Sequence, residues 1–234
     1  MTVVLIVACA LVGLVVGWFL DPVVVRVPRK LPLRGPVDHL VEEPLPPESR
    51  GRRVFLALLT GTLFGAMAAR FDDSWALPAY LVLTAALVAL SWIDLEHYLL
   101  PNRIVYPMTV ALVVLFAFAA LLDDDWSAFS RGLIAAAIAF AVYFLLHIVS
   151  PRSMGFGDVK LSFSLGLALG WLSWEELVLG LFLAFLYGAV IGIIVMIARR
   201  RDRKAAIPFG PFMAAGALTA ILIGGPIITW YKGS

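Results

Sequence analysis

The stretch MGFGDVKLSFSLGLALGWLSW, residues 154–174, decides how this chain folds. Asp158 and Lys160 stand near its start, and the uncharged run that follows, 161–174, is too short to cross a bilayer by itself. A spanning helix needs roughly 20 apolar residues, because the hydrocarbon core is about 30 Å thick and an α-helix rises about 1.5 Å per residue. If this segment spans, its helix must begin near Gly155, and Asp158 then falls in the first turn at the membrane boundary. The free N–H groups and macrodipole of a helix N-terminus favour an anion there. Gly155 and Gly157 let backbone or substrate approach closely.

The rest of the sequence places this segment in a membrane. Hydrophobic residues make up 62% of the chain, charged residues 15%, and the mean hydropathy is +0.97; charged residues are about a quarter of an ordinary soluble chain. Splitting the chain at its charges leaves uncharged runs at 2–20, 54–69, 74–93, 104–122, 132–151, 161–174, 177–198 and 205–231, eight candidate spans. The first run has no basic segment before it and no A-x-A site after it, so it reads as a retained helix rather than a cleaved signal peptide.

Lysine and arginine accumulate on the cytoplasmic side of a membrane protein. Of the 18 such residues, 15 fall in the connections 21–53, 94–103, 150–160 and 199–204, and only Arg70, Arg131 and Lys232 fall in the alternate ones. The expected topology therefore has both termini outside. The expected fold is an all-α polytopic membrane bundle of about eight transmembrane helices, a single domain over 1–234. Its one long connection, the cytoplasmic loop 21–53, is rich in proline and charge and should be irregular or partly helical. A single cysteine, Cys9, excludes a disulfide framework and a cysteine-based zinc site. No internal repeat is present.

A second carboxylate reaches the same depth as Asp158. The third run ends at Ile93 and the next residue is Asp94, at the cytoplasmic end in this topology. Asp94 opens DLEHYLLPNR, where Pro101 is placed to start the next helix, since it lacks an N–H and its φ is already near the helical value. Two carboxyl groups converging in a water-poor setting share one proton, because ionising both would place like charges a few ångströms apart. One acid can then polarise a peptide carbonyl while the other takes a proton from the attacking water. That is aspartyl protease chemistry, and it needs no metal, cofactor or nucleophilic side chain. The sequence has no H-E-x-x-H pair and no G-x-S-x-G elbow, so the acid pair is the hydrolytic arrangement that remains.

These segments resemble a known family. SWIDLEHYLLPNRIVYP (91–107) is similar to the first catalytic segment of the type IV prepilin leader peptidases, and GFGDVKL (155–161) to their GxGD segment. IPFGPFMAAGAL (207–218) is similar to their last span, and WFLDPVVVRVP (18–28) to their opening GSFLN…RLP, with Asp21 where asparagine is usual. The resemblance implies that Asp94 and Asp158 are the catalytic pair. It also implies a multi-pass protein of the cell membrane whose active site faces the cytoplasm and which removes a short basic leader from type IV prepilin or pseudopilin precursors. Many family members then methylate the new N-terminus. Here the two Cys-x-x-Cys pairs common in the first loop are absent from 21–53, and no glycine-rich loop on a strand-to-helix turn is found. Methyl transfer from S-adenosylmethionine is therefore left open.

Other residues carry weaker signals. Lys160 lies about 200° around the helix from Asp158, so it either snorkels to headgroups or, as its place in the motif implies, positions the catalytic turn along with Gly155 and Gly157. Pro101 and Asn102 follow Asp94 as in the family. Pro208, Gly210 and Pro211 bend the start of the last span, and exposed backbone there could hold an extended substrate. Glu42, Glu43 and Glu48 read as a solvated stretch, or as a docking patch for a basic leader. His39, His97 and His147 have no partner at metal-ligand spacing; His147 reads as a hydrogen-bonded helix contact. The run Arg199, Arg200, Arg201, Arg203 and Lys204 anchors a helix end on anionic lipid, and nucleic-acid binding so close to a bilayer is disfavoured. The rival readings are a proton-coupled transporter, whose acids belong near the midplane, and a presenilin-like protease with other substrates.

Overall fold

The computed structural model describes residues 2–33, 49–150, 154–198 and 207–233. Among them are eight helices and no strand: α1 (Thr2–Arg26), α2 (Arg50–Phe71), α3 (Leu77–His97), α4 (Asn102–Asp123), α5 (Trp126–Val149), α6 (Phe156–Leu172), α7 (Trp174–Ala198) and α8 (Gly210–Lys232). The all-α expectation holds. The chain divides into two compact units, 1–111 and 112–234, with the boundary inside α4.

In the first unit α1 packs along α2, and α3 lies against both. The close approach is set by glycine: a Cβ on Gly17 would sit 2.4 Å from the carbonyl oxygen of Leu56. Small residues let membrane helices approach to van der Waals distance where no water drives them together. Val24, Leu56, Val88, Ala89 and Ile93 form the buried cluster at the end of this unit that carries Asp94. α1 continues through Pro22 to Arg26, so residues expected at the start of the first loop are helical.

The second unit is organised around α6, which packs against α5, α7 and α8. Its 17 residues begin where the sequence reading placed them, with Gly155 as N-cap, but they end at Leu172, short of the expected length. Among the described residues seven helices are long and apolar enough to cross a membrane, and α6 is not one of them. Two observations explain the short helix. Most of its side chains are buried against neighbouring helices rather than facing lipid. At its C-terminal end Arg131 of α5 donates to three backbone carbonyls, from Nε to Gly170 at 2.8 Å and from Nη2 to Trp171 at 2.6 Å and Leu172 at 3.0 Å. A membrane helix must match the bilayer only where its own backbone would otherwise meet hydrocarbon; α6 has protein partners instead.

The α5–α6 seam is again built from small residues. Gly132, Ala135, Ala136 and Ala139 of α5 face Gly166 and Gly170 of α6, where a Cβ would lie 2.7 Å and 2.2 Å, respectively, from atoms of Ala135.

Candidate active site

Asp94 lies in the last turn of α3 and is 5% exposed, beside Ile93 of the buried cluster. The helix stops three residues later, at His97, because Tyr98 adopts the left-handed region (φ 53°, ψ 40°) and its N–H returns to the Asp94 carbonyl at 2.9 Å. A left-handed cap is usually glycine or asparagine, and a side chain there costs about 1–2 kcal/mol; the turn following Asp94 is thus held in a conformation its residue type does not favour. Glu96 is engaged elsewhere: it accepts from Trp92 Nε1 at 2.7 Å and lies 3.9 Å from His97 Nε2. Pro101 stands just before α4, its carbonyl accepting from Ile104 N–H at 2.9 Å and Val105 N–H at 3.1 Å, and Asn102 is the first helical residue. The proline opens the helix as expected, one position outside its first turn.

Asp158 belongs to the second unit. It occupies the third position of α6, 6% exposed, and is locked to the N-cap in both directions: Gly155 N–H donates to Oδ2 at 3.0 Å, and Asp158 N–H donates to the Gly155 carbonyl at 3.1 Å. This is the carboxylate half of a capping box, and it fixes the side chain over the helix N-terminus. Gly157 falls in the same turn. Lys160 folds back so that its Nζ lies 4.9 Å from the Phe156 ring centroid, a cation–π contact along one face of the helix.

The turn ahead of α6 is held by α5. His147 donates from Nδ1–H to the Met154 carbonyl at 2.8 Å, so its hydrogen bond goes to the turn before α6 rather than to a neighbouring helix, and its ring lies 5.6 Å from Phe156. Pro208, Gly210 and Pro211 form the start of α8, with Pro211 in the first turn. Between them, Phe209 packs at 5.3 Å on Phe185 and 6.3 Å on Tyr143. Tyr143 in turn lies within electrostatic range of Asp158. Helix α5 therefore touches the Pro-Phe-Gly-Pro segment through Tyr143 and holds the turn ahead of Asp158 through His147, two segments that sequence reasoning had treated separately. Tyr143 was not singled out from the sequence. Its only signal was a hydroxyl inside an otherwise apolar run, one helical turn ahead of His147.

Asp21, the departure from the family's asparagine, is 2% exposed and accepts from Arg52 Nε at 2.5 Å and Arg53 Nε at 3.2 Å. Arg53 also stacks over Trp18, 5.7 Å from its centroid. The extra negative charge is met by two guanidinium groups that sequence reasoning had counted only as topology signals. Glu42, Glu43 and Glu48, with the basic run after α7, lie outside the described residues.

The model of a family described as the type IV leader peptidase family matches residues 81–197. Among curated relatives, the prepilin leader peptidase/N-methyltransferase of Stutzerimonas stutzeri is 34% identical over 184 residues, covering 77% of this chain and 61% of its own length. That of Aeromonas hydrophila matches with the same identity and coverage. The Bacillus subtilis protein of the same name is 31% identical over 176 residues, covering 74% of this chain and 67% of its own length. The chain thus spans about three-fifths of the length of the first two relatives. No solved structure matches it.

Proposed function

The chain belongs to the type IV leader peptidase family, and from that premise we propose that it is a membrane aspartyl endopeptidase with Asp94 and Asp158 as its two acids. The observation that carries the reading is the state of Asp158: a buried carboxyl, inside the region the family model matches, fixed by a backbone N–H at a helix N-terminus. Its substrate is a pilin-like precursor with one apolar helix and a short basic leader, cut at the cytoplasmic face of the membrane.

The two helix ends suit different charge states. A helix N-terminus stabilises an anion and a C-terminus opposes one, so Asp158 serves as the ionised base and Asp94 carries the shared proton. Water gives a proton to Asp158 as its oxygen bonds to the scissile carbonyl carbon, while Asp94 protonates the carbonyl oxygen. The tetrahedral intermediate then collapses: the C–N bond breaks, the leaving nitrogen takes the proton held by Asp158, and the hydroxyl proton returns to Asp94. One water is consumed and both acids are restored. The apolar helix of the precursor stays in lipid, and its extended junction lies along the backbone at Pro208–Pro211.

The resemblance, and the names of the relatives, also raise methyl transfer. The groove beside the α3–α4 turn, about 650 Å³, is lined by alkyl groups with Arg103 as its one charged residue. It does not fit S-adenosylmethionine, whose adenine, ribose and amino-acid parts all need polar partners.

The test is co-expression with a pilin-like precursor, followed by immunoblot and mass spectrometry of its mature N-terminus. Asp94→Asn and Asp158→Asn should each abolish leader removal while leaving membrane insertion intact. Normal processing by either variant removes that acid from the mechanism, and a proton flux lost with Asp158→Asn in the absence of cleavage would favour the transporter. The same spectrum shows whether the new amine carries a methyl group.

A further inference from the structure

Tyr143 is fully buried on α5, yet among the described residues no group pairs with its hydroxyl. Leaving a buried hydroxyl without a partner costs about 1–3 kcal/mol, and phenylalanine would fill the same space without that cost. The ring itself is well placed: it packs 5.6 Å from Phe185 and 6.3 Å from Phe209. Its helix is pinned one turn further on, where His147 holds the Met154 carbonyl just ahead of the N-cap of α6. The hydroxyl is therefore a rigidly held donor between the turn that carries Asp158 and the segment that opens α8.

We infer that Tyr143 is a catalytic residue, donating a hydrogen bond to the scissile carbonyl oxygen as that oxygen takes on negative charge. This rests on the peptidase reading and goes beyond it. As water adds, the carbonyl π electrons move onto oxygen and Asp94 gives that oxygen its proton; the phenol donates a hydrogen bond to the partial negative charge present while that transfer is incomplete, without giving up its own proton. When the C–N bond breaks and the carbonyl re-forms, the bond to the phenol weakens and the tyrosine is unchanged. A donor that lacks a partner at rest and gains one only as charge develops lowers the barrier without tightening ground-state binding. Phe209, which packs on the Tyr143 ring, is itself partly exposed.

The test is Tyr143→Phe in the full chain, purified in detergent and assayed with a synthetic precursor of a basic leader, a glycine and an apolar helix. Removing one such donor should lower kcat about 10²-fold, leave KM within about twofold and leave the thermal midpoint undiminished, since no native hydrogen bond is lost. A kcat within about threefold of wild type would overturn the inference. So would a loss of activity that tracks a lowered midpoint, which would make the residue structural. Wild type and Asp158→Asn are run alongside. If wild type does not cut the precursor, the peptidase reading fails and takes this inference with it. If wild type cuts, Asp158→Asn does not and Tyr143→Phe cuts at full rate, this inference alone fails.

Discussion

Replacing Arg131 with methionine keeps most of the alkyl stem and removes the guanidinium that holds the end of α6. Three carbonyls lose their side-chain donor, those of Gly170, Trp171 and Leu172. Hydrogen bonds to a charged group contribute about 1.5–3 kcal/mol each, which would sum to at least ~4.5 kcal/mol. That sum is too large for two structural reasons: Nη2 is shared between two of the carbonyls, and the side chain is only part-buried, so water can replace some of the loss. The expected cost is about 3 kcal/mol, a fall of roughly 6–12 °C in the thermal midpoint for a chain of this size. Arg131→Lys, whose compact ammonium lacks the planar fork that spans all three carbonyls, should recover about a third of it. The assay is thermal unfolding in a fixed detergent, followed by tryptophan fluorescence. Midpoints for Arg131→Met within about 2 °C of wild type would refute the argument that this residue is what allows α6 to be short.

Two further perturbations follow from the described contacts. Asp21→Asn removes the carboxylate charge that Arg52 and Arg53 both contact; removing one member of a buried pair costs about 3–5 kcal/mol, reduced here to about 2–3 because Arg53 is 22% exposed. Arg52→Met should rescue part of that loss, and a double-mutant cycle with no coupling would show the pair to be incidental. At the start of α5, the Ser127 hydroxyl, then the Ala128 N–H, hold Asp125 below its ordinary value of 3.8, with Arg131 adding to the effect. A depressed carboxylate stabilises the fold above its unfolded value and loses that contribution as pH falls through the folded one. Unfolding midpoints should therefore drop on acidification below about pH 4, less steeply in Asp125→Asn; identical slopes would count against the cap.

Much of this was readable because membrane insertion imposes simple rules. Charges at the ends of apolar runs marked Asp94 and Asp158, and glycine spacing marked the turn at Asp158. The length of α6 was misjudged because the rule of about 20 residues assumes a helix that meets lipid. The signal that it does not was present in Gly166 and Gly170, four apart, and in the small residues of 132–139, but their facing one another is a tertiary fact. Arg131 was read as a topology charge for the same reason: nothing local says that a side chain will reach 39 to 41 residues along the chain. Tyr143 and the pairing of Asp21 with Arg52 depend likewise on contacts distant in sequence.

A helix of 17 residues that carries an acid, a lysine and two serines is a poor candidate for spontaneous partitioning out of the insertion machinery. It becomes a comfortable resident of the bilayer only when α5 is already there to receive it. During biosynthesis the segment bearing Asp158 should therefore be the one whose residence is conditional, lingering near the exit site until its neighbour closes over it. A half-built protein would then hold its acid outside the hydrocarbon, so that the presence of Asp158 at its working depth certifies that α5 has been correctly laid down.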